Sequence, residues 1–271
     1  MKKIAVIILV MFVLIGLWKF SQKVERKPEK TTQPKGQPKF GNVDSVPDNE
    51  NKSLTRSSSP KKSWIHYNYL PKINRGVVVK HKYYTLSYDE EYEQAEWVAY
   101  KLNTRFLQGN AKRASSFYYD DEVLTKSAGK DDYKYSGYDR GHLLPAGDRK
   151  MTKEAMRETF YMSNISPQDP GLNRKAWKYL EEKLRNRSYE YDSLYIVTGP
   201  IIFEEHEKLG ENEVAVPAYF YKIILNYTDA TALCATAFIF PNQSVKDLTD
   251  EFIVSIDSVE TCLLYTSDAA D

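Results

Sequence analysis

The chain has 271 residues, 42% of them hydrophobic, and two cysteines, so it can bury a sizeable core but cannot depend on a disulfide framework. Its formal net charge of +1 hides a split: residues 1–62 hold 13 Lys/Arg against 5 Asp/Glu, and residues 63–271 hold 25 against 32. That balance excludes the larger part as a general polyanion binder, and a polyanion would have to meet a local basic patch.

Lys2-Lys3 leads into an unbroken apolar run, Ile4 to Trp18, closed by Lys19. As a helix the run would span about 22 Å at ~1.5 Å per residue, short of a hydrocarbon core of ~30 Å. Flanking lysines can snorkel across the difference. No small-x-small cleavage site follows. Residues 1–20 are therefore expected to be a signal anchor left in place, with residues 4–18 in a membrane, or else a cleaved signal peptide. A buried core helix is the remaining alternative. Residues 21–62 are rich in Lys, Pro, Gln, Ser and Asn, hold few core-forming residues, and read as a disordered basic linker.

A folded domain is expected over residues 63–261, starting near Trp64. Val77–Val79, Tyr83–Tyr88 and Trp97–Leu102 have strand composition. Thr152 can cap a short helix over Lys153–Thr159, and a longer helix is expected from about Asn173 to Arg187. Leu194–Val197 reads as a short strand ended by Thr198-Gly199-Pro200. Tyr219–Tyr227 and Leu233–Phe240 read as two more strands, with Cys234 a buried small hydrophobe. Strands mixed with helices, without regular βαβ alternation, indicate an α+β fold. Cys262–Asp271 resembles the in-frame translation of a transposase-type sequencing adapter. It is expected to be an artefact that packs poorly, with the natural chain truncated near Thr261.

The chemistry concentrates in Tyr138-Asp139-Arg140-Gly141-His142-Leu143-Leu144-Pro145-Ala146, which sets an acid, a guanidinium, a glycine and an imidazole against an apolar run. Phosphodiester cleavage requires a deprotonated water, stabilised phosphorane charge and a neutralised departing oxygen. An imidazole with an ordinary pKa of ~6.5 suits the first task. A divalent cation suits the other two. Mg²⁺ takes oxygen ligands and keeps several waters, so one uncharged carboxamide can suffice to hold it.

Asn164-Ile165-Ser166-Pro167-Gln168 and then Leu172-Asn173-Arg174 follow in order. On a helical wheel Trp177, Leu180 and Leu184 form the core stripe, Asn173 lies near it at the N-terminal end, and Glu181 and Arg185 flank it. Residues 139–187 carry 11 Lys/Arg against 7 Asp/Glu, a basic island in an acidic domain. Read singly, His142 is more often a structural histidine than a base, Asn173 could be only a helix N-cap, and Glu181 and Arg185 could be solvated or ion-paired side chains. Asp139 either holds Arg140 or caps a turn, and Arg140 either braces the motif or contacts phosphate. Gly141 relieves a backbone constraint beside His142. His66, His81 and His206 have no partner motif.

Together, Tyr138–Leu143, Glu158–Gln168 and Leu172-Asn173-Arg174-x-x-Trp177-x-x-Leu180-Glu181, with the later Val197-Thr198-Gly199-Pro200, resemble the DNA/RNA non-specific endonuclease family. This is the ββα-metal, or His-metal finger, group that includes endonuclease G. The resemblance covers roughly residues 70–260. It implies a central antiparallel sheet flanked by helices, one catalytic Mg²⁺ (with Mn²⁺ able to replace it), and cleavage of both DNA and RNA. By the same resemblance His142 is the general base and Asn173 the metal ligand, with Glu181 reaching the ion through water. Asn164, Arg140 and Arg185 support catalysis, and Arg113, Arg140 and Arg185 meet the substrate. Arg113 is placed by Arg113-x-x-x-Phe117-x-x-Asp120. A homodimer is left open. Export to the periplasm or the cell exterior is expected, because a promiscuous nuclease in the cytosol would attack its host. A nucleic-acid-binding module that keeps the fold without catalysis is the competing reading.

Overall fold

A computed structural model describes residues 69–72, 75–191, 193–227 and 233–265. The expected anchor or signal in residues 1–20 and the basic linker in residues 21–62 lie outside them, as does the tail beyond residue 265.

The described chain begins with strands β1 (Val77–Lys80), β2 (Thr85–Asp89) and β3 (Gln94–Leu102), then a single turn, α1 (Thr104–Leu107). A long loop leads to β4 (Asp139–His142). Helix α2 (Lys153–Glu158) follows, capped as expected by Thr152, whose hydroxyl accepts from the Ala155 amide at 3.1 Å. After β5 (Ile165–Gln168), a π-helical turn over Leu172–Trp177 runs directly into α3 (Lys178–Arg187). The remaining elements are β6 (Leu194–Ile201), β7 (Lys208–Leu209), β8 (Val214–Ala215), β9 (Tyr219–Tyr227), β10 (Leu233–Pro241), β11 (Ile253–Val254) and α4 (Ile256–Tyr265).

Seven strands form one antiparallel sheet in the order β1-β2-β3-β6-β9-β10-β11, and β4 pairs with β5 in a separate two-stranded ladder. The fold is α+β, as the mixed element pattern indicated.

Strand alternation divides the large sheet's side chains between two cores. Val98, Tyr100 and Leu102 of β3, Leu194 and Ile196 of β6, Phe220 and Ile224 of β9, and Phe240 of β10 share one face with Leu172, Trp177, Leu180 and Leu184. The opposite face carries Trp97, Val197, Tyr221 and Ile239, covered by Val259 and Cys262 of α4. Trp177 is fully buried and packs on Phe220 and Phe240 at centroid distances of 5.7 and 5.8 Å. Truncating so large a buried ring typically costs about 3–5 kcal/mol. The expected stripe Trp177, Leu180, Leu184 is therefore the contact that fixes the helix to the sheet.

Four elements differ from the sequence reading. β6 does not stop at Thr198-Gly199-Pro200 but runs to Ile201. Gly199 permits this, because a Cβ there would sit 2.1 Å from the Glu96 carbonyl oxygen. Pro200 is tolerated because β3 pairs with β6 only as far as Thr198, so no ladder partner on that side needs its missing N–H. The segment around Asn173 is a wide π turn rather than the first turn of an α-helix. Cys234 is exposed, because it lies near the end of the β9–β10 hairpin, in register with Asn226. Finally, the start of the suspected artefact does not pack poorly. Cys262 is 3% exposed against Val259 and the sheet, and Leu263 packs on the same cluster.

Candidate active site

β4 and β5 form a small platform with Asp139 opposite Gln168 and His142 opposite Ile165. Gly141, next to His142 and opposite Ser166, is required by close approach rather than by its backbone angles. A Cβ there would meet the Gln168 side chain at 2.5 Å.

His142 ends β4 in an aromatic pocket, its ring 4.9 Å from that of Phe160 and 5.7 Å from that of Phe117. It is 8% exposed. Burial lowers its pKa to about 3, the nearby Arg113 guanidinium adds to the shift, and a bond to the Arg140 backbone opposes it. Its Nε2 has no partner among the described residues. The imidazole is thus neutral, held at one side and free at the other, which is the state a general base needs.

That burial has a consequence for stability. The unfolded chain takes up a proton at His142 near pH 6.5, whereas the folded chain does so only near pH 3. The unfolded state binds more protons between those values, so stability falls as pH drops through that window. Thermal melts of wild type and His142→Gln between pH 7 and pH 4 are expected to show a steeper acid loss in wild type. Parallel curves would refute the buried neutral imidazole.

Asn173 is not the helix cap. Asp169 fills that role, its Oδ1 accepting from the Gly171 and Leu172 amides at 2.6 and 3.3 Å, and its carbonyl oxygen from the Asn173 amide at 2.9 Å. The Asn173 side chain instead donates Nδ2–H to Asp139 Oδ2 at 2.9 Å. Asp139 also takes two bonds from Arg174, at 2.8 and 2.5 Å. Burial works against ionisation of Asp139, but Arg174 and Asn173 outweigh it and hold the carboxyl below its usual range. Asp139 therefore neither holds Arg140 nor caps a turn. It fixes which end of the Asn173 carboxamide faces away, leaving Oδ1 presented.

Asn164 is fully buried and its side chain is fully engaged. Oδ1 accepts from the Leu144 amide at 2.8 Å, and Nδ2 donates to the Leu144 and Thr159 carbonyls at 3.0 and 2.9 Å. It locks the chain leaving His142, and its backbone carbonyl also accepts from the Leu143 amide at 3.0 Å. Arg140 spans the rings of Phe117 and Tyr133 and donates twice to the Lys130 carbonyl, at 3.2 and 2.5 Å, so it braces the loop before β4. Arg113 lies over the Phe160 ring, 5.0 Å from its centroid, on the wall of the His142 pocket.

Arg185 donates to Asp148 Oδ1 at 2.8 Å and lies 3.8 Å from Glu181 Oε2. Burial pushes the Glu181 carboxyl up, with Lys222 and then Arg185 pulling the other way around a repulsive Asp148. The histidines without a motif are structural where described: His81 bonds Asp120 at 2.9 Å, and His206 bonds the Phe203 carbonyl at 2.9 Å. Asp120 also accepts from Ser163, tying the Arg113–Phe117 loop to the turn that carries Asn164.

Sequence reasoning missed three contributors. Asp148 partners Arg185. Arg149, fully buried, donates to the Asp148, Tyr83 and Lys101 carbonyls and so pins the motif to the sheet. Lys222 is buried beneath Trp177. The repeat of Asp139-Arg140 as Asp148-Arg149 is the one signal that pointed to the first two.

The donor set fits a hard divalent cation. Asn173 offers one oriented oxygen and Glu181, eight residues on in α3, a carboxylate, while no group of three or more His, Cys, Asp or Glu side chains forms a cage among the described residues. Such a set matches an ion that keeps most of its own water.

Comparison with known proteins bears on the fold and the family. A crystal structure of EndoG in complex with EndoGI superposes with a TM-score of 0.65 at 32% identity, over 72% of this chain and 85% of that one. The mitochondrial endonuclease G of Bos taurus is 32% identical over 191 residues and that of Homo sapiens 34%, in each case over 65% of this chain. The match spans 64% of the length of both proteins. Nuclease C1 of Cunninghamella echinulata var. echinulata is 36% identical over 194 residues, 65% of this chain and 77% of that one. The expectation of an exported, periplasmic or extracellular protein is overturned here, because similar proteins from cattle, humans and yeast are named mitochondrial nucleases. Among the described residues no helix is long and apolar enough to cross a membrane. Residues 61–266 match the family described as DNA/RNA non-specific endonuclease, and with three quarters of its length inside that match the chain belongs to this family.

Proposed function

We propose that the protein is a Mg²⁺-dependent endonuclease that hydrolyses phosphodiester bonds of both DNA and RNA. The observation that carries this reading is a neutral, half-free imidazole on the same short strand as the carboxylate that orients Asn173. His142 Nε2 takes a proton from water, and the resulting hydroxide oxygen bonds to phosphorus as the departing oxygen leaves. Arg113, beside the base, offsets the charge that builds on the phosphate. Arg185 holds Glu181 and Asp148 in place and lends positive charge from below. When bound, Mg²⁺ or Mn²⁺ at Asn173 Oδ1, with Glu181 acting through water, would neutralise charge on the phosphate and departing oxygens. None of these groups reads a base or a sugar hydroxyl, which supports activity on both nucleic acids.

Supercoiled plasmid and a structured RNA, each incubated with the full chain in Mg²⁺, should both be cut, and EDTA should stop both reactions. Binding of either nucleic acid without cleavage in Mg²⁺ would identify a binding module instead. Cleavage that resists EDTA would remove the metal from the mechanism.

A further inference from the structure

One histidine outside the His142 motif is built into the wall of the same pocket. His81 lies in the turn between β1 and β2, at the edge of the large sheet, and packs on the rings of Tyr84 and Tyr161 at centroid distances of 4.6 and 5.3 Å. Its Nε2 lies 2.9 Å from Asp120 Oδ2, and the two side chains are 4% and 1% exposed. Burial works against ionisation of Asp120, but His81 and Ser163 outweigh it and hold the carboxyl below its usual range. An ionised carboxylate only accepts, so the imidazole N–H donates. The same Oδ2 accepts from the Ser163 hydroxyl, and Oδ1 accepts from the Glu122 amide at 3.2 Å.

Asp120 stands at the end of the loop that walls the base. Residues 112–117 belong to no helix or strand. The loop is tied upstream by the Ala111 amide, which donates to the Lys150 carbonyl at 3.2 Å. Downstream, the Tyr118 amide donates to the Phe160 carbonyl at 3.0 Å, and the Tyr118 carbonyl accepts from the Met162 amide at 2.8 Å. Phe117, beside that bridge, meets the rings of Phe160 and His142 at 5.2 and 5.7 Å, and Arg113 lies over Phe160. The loop's packing on Met156 and Phe160 is apolar and therefore non-directional. Its polar ties set its register, and the tie made by a side chain from the large sheet is His81 to Asp120.

We propose that His81, acting through Asp120, is a positioning residue for phosphodiester cleavage: it fixes the loop that sets Arg113 and Phe117 against His142. Only the catalytic half of the inference rests on the nuclease reading. His81→Phe keeps a ring against Tyr84 and Tyr161 but loses the N–H, which leaves a buried Asp120 oxygen short of a donor. His81→Gln returns an N–H. Peptide-resolved hydrogen exchange of the full chain, without metal, should be faster over residues 111–120 in His81→Phe and as in wild type in His81→Gln. In steady-state cleavage His81→Phe should lower kcat/KM about 10–100-fold on DNA and RNA alike, and His81→Gln should restore most of it. In an Arg113→Ala background the same exchange of His81 should cost about threefold or less, because the group it positions is gone. Wild-type hydrogen exchange or wild-type kcat/KM in His81→Phe, no rescue by His81→Gln, or a loss undiminished by Arg113→Ala would each overturn the proposal. If His81→Phe does not fold, His81→Leu serves in the same series. A wild type that cuts neither DNA nor RNA would sink the nuclease reading, while the hydrogen exchange still decides whether His81 fastens the loop.

Discussion

Replacing His142 with alanine is expected to lower kcat on both DNA and RNA by about 10²–10⁴-fold, the usual contribution of a positioned general base. The loss should be equal for the two substrates, because the imidazole acts on water and not on the sugar. Circular dichroism should be unchanged. The pocket formed by Phe117 and Phe160 remains, and the chain beyond His142 is held by Asn164 through the Leu144 amide and carbonyl. The pH profile supplies a second check. A base whose pKa lies near 3 is neutral throughout the ordinary assay range, so kcat/KM should show no His142 limb between pH 5 and 7. Wild-type rates in His142→Ala would end its role as the base.

Asn173→Ala should be nearly as severe and different in kind. Losing the single oriented oxygen should weaken the cation's hold, raise the Mg²⁺ concentration for half-maximal activity, and cost several kcal/mol of charge stabilisation. That corresponds to about a hundredfold to a thousandfold in kcat. Asp139→Ala is the companion variant. It keeps the carboxamide but removes the carboxylate that accepts its Nδ2–H and binds Arg174. Its activity should fall about 10–100-fold, the range seen when a group that orients a ligand is lost. An Asn173→Ala enzyme with an unchanged Mg²⁺ titration would argue against ligation, whatever its rate.

The parts of this site legible in the sequence are those whose signal is local. Asp139-Arg140-Gly141-His142 and Leu172-Asn173-Arg174 are contiguous, and their residue types fit the chemistry. The role of Asp139 was not legible, because its partners Asn173 and Arg174 lie 34 and 35 residues away. Arg149 and Lys222 were missed for another reason. Nothing in a run of sequence separates a solvated cation from one buried at 0% exposure, since that depends on which strands pair. Likewise, alternation located the strands but not their ends. β6 outran Thr198-Gly199-Pro200 because its neighbour β3 ends the pairing first, and Cys234 is exposed because the hairpin outreaches its cover. The two short strands β4 and β5 went unseen because four residues containing Gly141 or Pro167 carry no strand signature.

The π turn over Leu172–Trp177 sets the spacing tolerance of the whole site. Each residue of an α-helix advances about 100° around the axis. A widened turn holds one residue more than its α-helical equivalent, and here that residue separates two obligations: Trp177 must face the sheet, and Asn173 must face Asp139. Shortening the segment by one would ease the backbone into regular helix while swinging the carboxamide a quarter-turn or more off its partner. Lengthening it would do the reverse to the tryptophan. Point substitution on the exposed side at Lys175 disturbs neither alignment, whereas Arg174 is tied to Asp139. The segment is therefore permissive in composition and strict in length, so single-residue insertions and deletions are a greater hazard to it than any one exchange of side chain on its outer surface.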